Sequence, residues 1–189
     1  MDRRIKYTKK VIKETLITLL NEKEINKITV SEICKIADIN RATFYRYYLD
    51  VYDLLDKIKE EFVNELLVVS NNNESNYTIS SFSKDLLSVF LDNKDLVKVL
   101  FNKKSDIYFL NDILEVAFEK CKNKWETKNS SLSNDSIEYA SIFIFNGALG
   151  VINFWVQNDF EKSIDDICTI IESLSYYGIN NFIYKNRDH

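Results

Sequence analysis

The sequence predicts an all-α fold: an N-terminal head of three helices and a larger C-terminal helical bundle, about nine helices in all. Three observations lead there. The 189 residues contain no Pro and only three Gly, whereas a β-rich fold needs turn residues about every 8–12 positions. Apolar residues recur at three- and four-residue spacing over long stretches. Ser, Thr, Asp or Asn stands ahead of most of those stretches, where a helix N-terminus needs an acceptor. A hydrophobic content of 46%, with 13% aromatic residues, supports a packed core and not a disordered chain.

The first helix is expected from about Thr8 to Asn21, with Val11, Ile12, Leu16, Leu19 and Leu20 on one face. Glu22 to Lys27 is a polar break. Thr29 reads as an N-cap, because Glu32 stands three residues later and completes a capping box. The short helix behind it buries Ile33, Cys34 and Ala37. Asn40 caps a second short helix, Arg41 to Tyr48. Asp50 caps a long fourth helix, Val51 to about Val69, with Asp53 near its positive end and Leu54, Leu55, Ile58, Phe62, Leu66 and Leu67 at helical spacing. Ser70 to Ser83, rich in Asn and Ser, is expected as a loop. Helices should follow at about Phe82–Leu91, Lys94–Phe101 and Ile107–Trp125. After the polar stretch Glu126–Ser133 come two strongly apolar helices, about Asn134–Gln157 and Ser163–Tyr184, the last capped by Ser163.

The net charge of -4 conceals an asymmetry. Residues 1–50 hold 11 Lys and Arg against 7 Asp and Glu, while the remaining residues hold 14 against 22. A basic head on an acidic body suits a molecule that offers one end to phosphates. Other function classes lack their marks. The single histidine is His189, and no Gly-rich phosphate loop, HExxH, CxxC or nucleophile elbow occurs, so an enzyme is not expected, nor a cofactor or metal. The pair Asp165-Asp166 is explained by a helix start. Cys34, Cys121 and Cys168 lie far apart among apolar residues and read as reduced core cysteines. With no signal-like N-terminus, and apolar runs such as Ile142–Phe145 too short to cross a membrane, a cytoplasmic location is the expectation.

Two short helices joined by a few residues, directly after an amphipathic helix, form a helix-turn-helix pattern. Ala37 supplies the small residue where the helices meet, and Ile39 the apolar anchor in the turn. Phe44 and Tyr48, four apart, form the buried face of the second helix. Arg41, Thr43, Tyr45, Arg46 and Tyr47 are left to face outward or sideways.

The stretch from Ile28 to Tyr48, with its Thr-Phe-Tyr-Arg-Tyr-Tyr core at 43–48, continuing to Leu54-Leu55, resembles the DNA-binding signature of the TetR/AcrR family of transcriptional regulators. Gly147-Ala148-Leu149-Gly150, Trp155, Asn158-Asp159-Phe160 and Ile164-Asp165-Asp166 resemble the C-terminal segment of one subgroup of that family. The resemblance implies a sequence-specific regulator of the repressor type, with a DNA-binding domain at 1–50 and an effector-binding and dimerisation domain at 51–189. It implies a homodimer on a palindromic double-stranded operator, released by a small-molecule effector. The alternative is a body that binds a protein partner.

By that resemblance Asn40, Arg41, Ala42 and Thr43 face base edges or adjacent phosphates, with Arg46 beside them. Tyr45 and Tyr47 hydrogen-bond phosphates, and Thr29 presents its helix N-terminus to one. Arg3, Arg4 and Lys6, to which the motif assigns no role, are expected to add contacts from a flexible arm. Two positions depart from the family pattern. Asp38 stands where Gly is usual, and Asp tolerates the required backbone angles. Val51 stands where a phosphate-neutralising Lys is usual, which removes one salt-sensitive contact unless Lys6, Lys9 or Lys10 replaces it. In the body, Phe101, Tyr108, Phe109, Phe118, Trp125, Tyr139, Phe143 and Trp155 are candidates to line an effector cavity, against the plainer reading of core or interface. Gly147 and Gly150, each costing about 1 kcal/mol in a helix, point to close helix packing, either within the chain or across a dimer.

Overall fold

The computed structural model describes residues 3–70, 79–102 and 134–186, and every regular element among them is helical. Helix α1 spans Arg3–Glu22 and is followed by a 3-10 turn, Ile25–Lys27. Then come α2 (Val30–Ile36), α3 (Arg41–Tyr45), α4 (Val51–Ser70), α5 (Ile79–Asp92) and α6 (Lys94–Asn102). Two long helices close the described chain, α7 (Asn134–Gln157) and α8 (Ile164–Asn186). The helix expected at Ile107–Trp125 lies outside the described residues.

Three boundaries correct the sequence reading. Helix α1 begins at Arg3, because nothing between Arg3 and Tyr7 breaks a helix and the Thr8 hydroxyl donates back to the Arg4 carbonyl (2.9 Å) instead of capping. Arg3, Arg4 and Lys6 are therefore helical and form no flexible arm. Helix α3 ends at Tyr45, since Tyr47 and Tyr48 both donate to the Phe44 carbonyl (2.9 and 3.0 Å) and the chain leaves the helix there. Residues 79–83, expected in a loop, are the first turn of α5. Burial of Leu86, Leu87 and Phe90 further along that helix outweighs the weak preference of its serines.

One continuous hydrophobic cluster runs from Ile12 and Leu16 in α1, through Phe44, Leu54 and Phe62, to Phe90, Val97, Trp155 and Cys168. Helix α1 packs on α2, α4 and α6. Helix α4 packs on α5, α6 on α7, and α8 on both α5 and α7. At the α4–α5–α6 junction the Phe90 ring lies edge-on to Phe62 (5.4 Å between centroids) and Phe101 (6.0 Å). Polar links reinforce the same junctions: Lys13 of α1 pairs with Glu61 of α4, and Asn93 donates to Glu65 (2.8 Å). Head and body thus share one core, with α4 in both.

The α7–α8 turn holds Asp159 and Phe160 at left-handed φ values of 55° and 58°, each costing about 1–3 kcal/mol for a residue other than Gly. Three contacts offset that. The Phe160 ring stands edge-on to Trp155 (4.8 Å), the Trp155 indole N–H donates to the Lys162 carbonyl (2.8 Å), and Lys98 of α6 pairs with Asp159 (2.5 Å). Ser163 caps α8 as expected, its hydroxyl accepting from the Asp166 amide (3.1 Å), and Asp165 pairs with Lys84 of α5 (2.7 Å). Cys34 and Cys168 are free, buried thiols, and burial, followed by nearby Glu172, pushes Cys168 up to about 11. Both are packing residues.

Helix α7 corrects one further expectation. Its short apolar runs join into Glu138–Gln157, which by length and composition is apolar enough to cross a membrane, yet within it only Ser141, Phe145, Ile152, Trp155 and Val156 are buried. Tyr139, Phe143 and Phe154 on α7 and Leu174, Tyr176 and Tyr177 on α8 are 66–78% exposed.

Candidate nucleic-acid interface

The head places α3 outermost by fastening each of its neighbours. Thr29 is extended (φ -116°, ψ 151°), and its hydroxyl accepts from the Glu32 amide (3.2 Å), capping α2. Only half of the expected capping box forms, because the Glu32 carboxylate turns instead to Lys23 (2.5 Å). Helix α2 then ends on Asp38 in the left-handed region (φ 49°), with the Ile39 amide bonded to the Cys34 carbonyl (3.0 Å). That is the six-to-one bond of a Schellman turn. Asp therefore serves where Gly is usual, and the turn is intact.

Helix α3 is only five residues long, too short to persist unaided, and tertiary contacts must hold it. Asn40 caps it, the Oδ1 accepting from the Ala42 amide (2.8 Å). Phe44, its single buried residue, is fully enclosed and meets Tyr48 at 5.5 Å between ring centroids. Tyr48 is 3% exposed, and desolvation, then Asp53, then Tyr47 raise its hydroxyl pKa to about 12, so it stays protonated.

With Phe44 and Tyr48 turned inward, Asn40, Arg41, Ala42, Tyr45 and Arg46 are exposed, and Thr43 and Tyr47 are partly so. Thr29 is exposed as well. The Lys9 ammonium from α1 lies 5.4 Å from the Tyr47 ring centroid. Val51 is 5% exposed and belongs to the core, so the start of α4 contributes packing where a phosphate-neutralising charge would otherwise stand. Among the possible replacements, Lys10 faces Glu14 at 3.7 Å with both side chains largely exposed, an ion pair of little strength.

The turn from α3 into α4 carries a polar clasp that spacing did not reveal. Asp50 caps α4, its Oδ1 accepting from the Asp53 amide (2.9 Å), and Asp53 Oδ2 accepts from the Leu49 amide (2.8 Å). Lys57 Nζ donates both to Asp53 Oδ2 (2.9 Å) and to the Tyr47 carbonyl (3.1 Å), and lies 5.5 Å from the Tyr48 ring centroid. The hydrogen bond from Lys57, then that from Leu49, hold the Asp53 carboxyl below its ordinary range. A depressed carboxylate stabilises above its unfolded pKa and loses that contribution as pH falls through the folded one, so the clasp is complete at neutral pH and opens only in acid. The Asp53–Lys57 pair is visible in sequence as an i,i+4 pair. The bond back to Tyr47, ten residues away, depends on how the chain turns.

Among the described residues the effector-cavity candidates do not converge. Trp155 is a core residue, 2% exposed, and Phe101 is half-buried against Phe90. Tyr139 (74% exposed) and Phe143 (78%) point away from the core, which corrects the expectation that they line an enclosed cavity: they occupy the outward stripe of α7. Tyr108, Phe109, Phe118 and Trp125 lie outside the described residues. Gly147 and Gly150 are exposed, and a Cβ built on either meets no atom of the described residues within 4 Å, so no packing against the described helices requires their small size.

Residues 77–177 match the family model for a TetR-type transcriptional regulator C-terminal region, just over half of the chain. The HTH-type transcriptional regulator YxbF of Bacillus subtilis (strain 168) is 29% identical over 105 residues, a stretch that is 53% of this chain but 28% of that protein. The chain thus matches less than a third of that relative's length. Among solved structures, the dihydroxyacetone kinase operon activator DhaS superimposes with a TM-score of 0.70 at 22% identity, covering 93% of this chain and 97% of its own. A TetR transcriptional regulator from Streptococcus agalactiae 2603V gives 0.65 at 21% identity, covering 92% and 96%. At such identities these two show a shared fold. With a helix-turn-helix on an all-helical scaffold and the family model matched over the body, the chain belongs to the TetR/AcrR family of transcriptional regulators.

Proposed function

We propose that the chain binds duplex DNA sequence-specifically as a homodimer, with residues 1–50 reading the DNA and 51–189 providing the dimer surface. The observation that carries the reading is the division of residues 41–48: Phe44 of α3 and Tyr48 just beyond it are fixed in the core while Arg41, Ala42, Tyr45 and Arg46 stay exposed. A two-stranded operator then takes Asn40 to Thr43 in the major groove and Thr29, Tyr45 and Tyr47 on flanking phosphates. Control of transcription, by repression in the usual mode of such regulators, follows from occupancy of the operator, and a cytoplasmic location goes with it.

Arg41→Ala tests the base-reading role. It should lose about 1–3 kcal/mol on the preferred duplex and little on a scrambled one, whereas Tyr47→Phe should weaken both alike. Binding isotherms on the two duplexes measure this. Equal weakening of both by Arg41→Ala means that Arg41 only contacts phosphate.

The dimer surface rests on the outward stripe of α7. Phe143, Gly147, Gly150 and Phe154 are all exposed, and they are spaced symmetrically about the bond between Ala148 and Leu149. An antiparallel two-fold crossing at that point sets Gly147 against Gly150 and Phe143 against Phe154 of a second copy. Such self-complementarity is what an isologous interface requires. Six large apolar side chains on α7 and α8 are 66–78% exposed. Five of them are aromatic, and at roughly 150–250 Å² per ring, of which about 70% is exposed, the rings alone offer about 500–900 Å², close to the ~800 Å² per partner of a standard stable interface.

A further inference from the structure

Helix α3 cannot hold its own angle: it has five residues and one buried side chain. The chain leaves the helix at Arg46, so the backbone just beyond, at Tyr47, needs a fastening if the helix is to keep its direction, and a cation is a strong donor to a carbonyl there. Lys57 meets that need from α4, with Nζ 3.1 Å from the Tyr47 carbonyl and 2.9 Å from Asp53 Oδ2. Asp53 in turn holds the Leu49 amide at 2.8 Å. The two residues that bracket the buried Tyr48, the second anchor of the recognition segment, are thus tied through their backbone groups to side chains one turn apart on α4. A salt bridge at i,i+4 on an exposed helix is by itself of small consequence. Here one partner also bonds the backbone ten residues earlier, and side-chain exposures of 41% for Lys57 and 23% for Asp53 leave the pair only partly open to water.

We propose that Lys57 is a positioning residue for sequence reading: by fastening the Tyr47 carbonyl to α4 it fixes the angle at which α3 enters the groove. This rests on the DNA-binding reading above. Because Asp53 balances its charge and the ammonium faces the Tyr47 carbonyl, Lys57 acts through α3 and not by attracting phosphate. Non-specific binding tolerates a loosened helix, since it needs charge but no register.

The test uses the full chain as the dimer, with a duplex selected from a random-sequence pool and its scrambled counterpart. Lys57→Met keeps the aliphatic stem and removes the donor, and Lys57→Arg restores a donor and the charge. Lys57→Met is expected to lose about tenfold in affinity on the selected duplex, the scale of one well-placed contact, with the scrambled duplex unchanged, and Lys57→Arg should recover most of the loss. In the DNA-free protein, Lys57→Met should speed amide hydrogen exchange at Tyr48 and Leu49 while α1 keeps its protection. Equal loss on both duplexes with a shallower salt dependence overturns the proposal, because Lys57 is then a phosphate contact. Unchanged affinity with unchanged exchange overturns it as well. If the unmutated chain fails to distinguish any duplex, the DNA-binding reading falls, and the exchange measurement alone still decides whether the clasp holds α3. Should Lys57→Met not fold, Asp53→Asn, which keeps an oxygen for the Leu49 amide but gives up the ion pair, must show the same selective loss.

Discussion

Phe44→Ala is expected to cost about 3–5 kcal/mol of stability and to abolish DNA binding. Phe44 is fully buried and is the single side chain by which a five-residue helix is anchored to the core. Truncation removes its transfer free energy and leaves a cavity beside Tyr48, in the cluster that also holds Ile33 and Leu54. A typical domain has only about 5–15 kcal/mol in total, so the head should be largely unfolded or loosened at ordinary temperature. Tyr45→Ala, one residue later, removes a side chain that is 55% exposed and should leave stability within about 1 kcal/mol. Urea midpoints of the two variants at one fixed protein concentration make the comparison. If Phe44→Ala loses no more than Tyr45→Ala, the inward and outward faces of α3 are assigned the wrong way round.

Gly150→Leu should break the dimer without breaking the fold. A Cβ at position 150 meets no atom of the described residues within 4 Å, and replacing a mid-helix Gly gains up to about 1 kcal/mol of helix propensity. Across the two-fold, the added side chain enters twice, against Gly147 of each partner. Overpacking costs roughly 1–3 kcal/mol per site, so a loss of about 2–6 kcal/mol should raise the dimer dissociation constant thirtyfold or more. Sedimentation across a concentration series, with circular dichroism to confirm that helix content is kept, measures both halves. An unchanged dimer would place the interface elsewhere and leave the α7 stripe for a different protein partner. Recovery of the unmutated chain in a membrane fraction would assign the apolar run Glu138–Gln157 to a bilayer instead.

Most of the head was legible in the sequence because its determinants are local. Thr29, Asn40 and Asp50 cap where their position ahead of an apolar pattern says they should, and Phe44 and Tyr48 turn inward as their spacing requires. The end of α3 was not legible, since Tyr45 to Tyr48 suits a helix equally well and only the route into α4 decides where it stops. Nor was the fate of the aromatics on α7. Tyr139, Phe143, Phe154 and Trp155 are similar as residue types, but Trp155 reaches Lys162 and Phe160 across the turn while the others point away from the core. Helical spacing gives the faces of α7 without saying which of them a neighbour covers. Gly147 and Gly150 had two readings for the same reason, and the open space around both among the described residues favours a partner over packing against the described helices.

The most direct measurement is selection of duplexes from a random-sequence pool by the purified chain, followed by footprinting and binding stoichiometry on the enriched sequence. The expected result is a palindrome with half-sites about one helical turn, 34–36 Å, apart, bound by two protomers with strong salt dependence, and lost to Arg41→Ala. Enrichment of no sequence, or one protomer bound to an asymmetric site, would contradict the account.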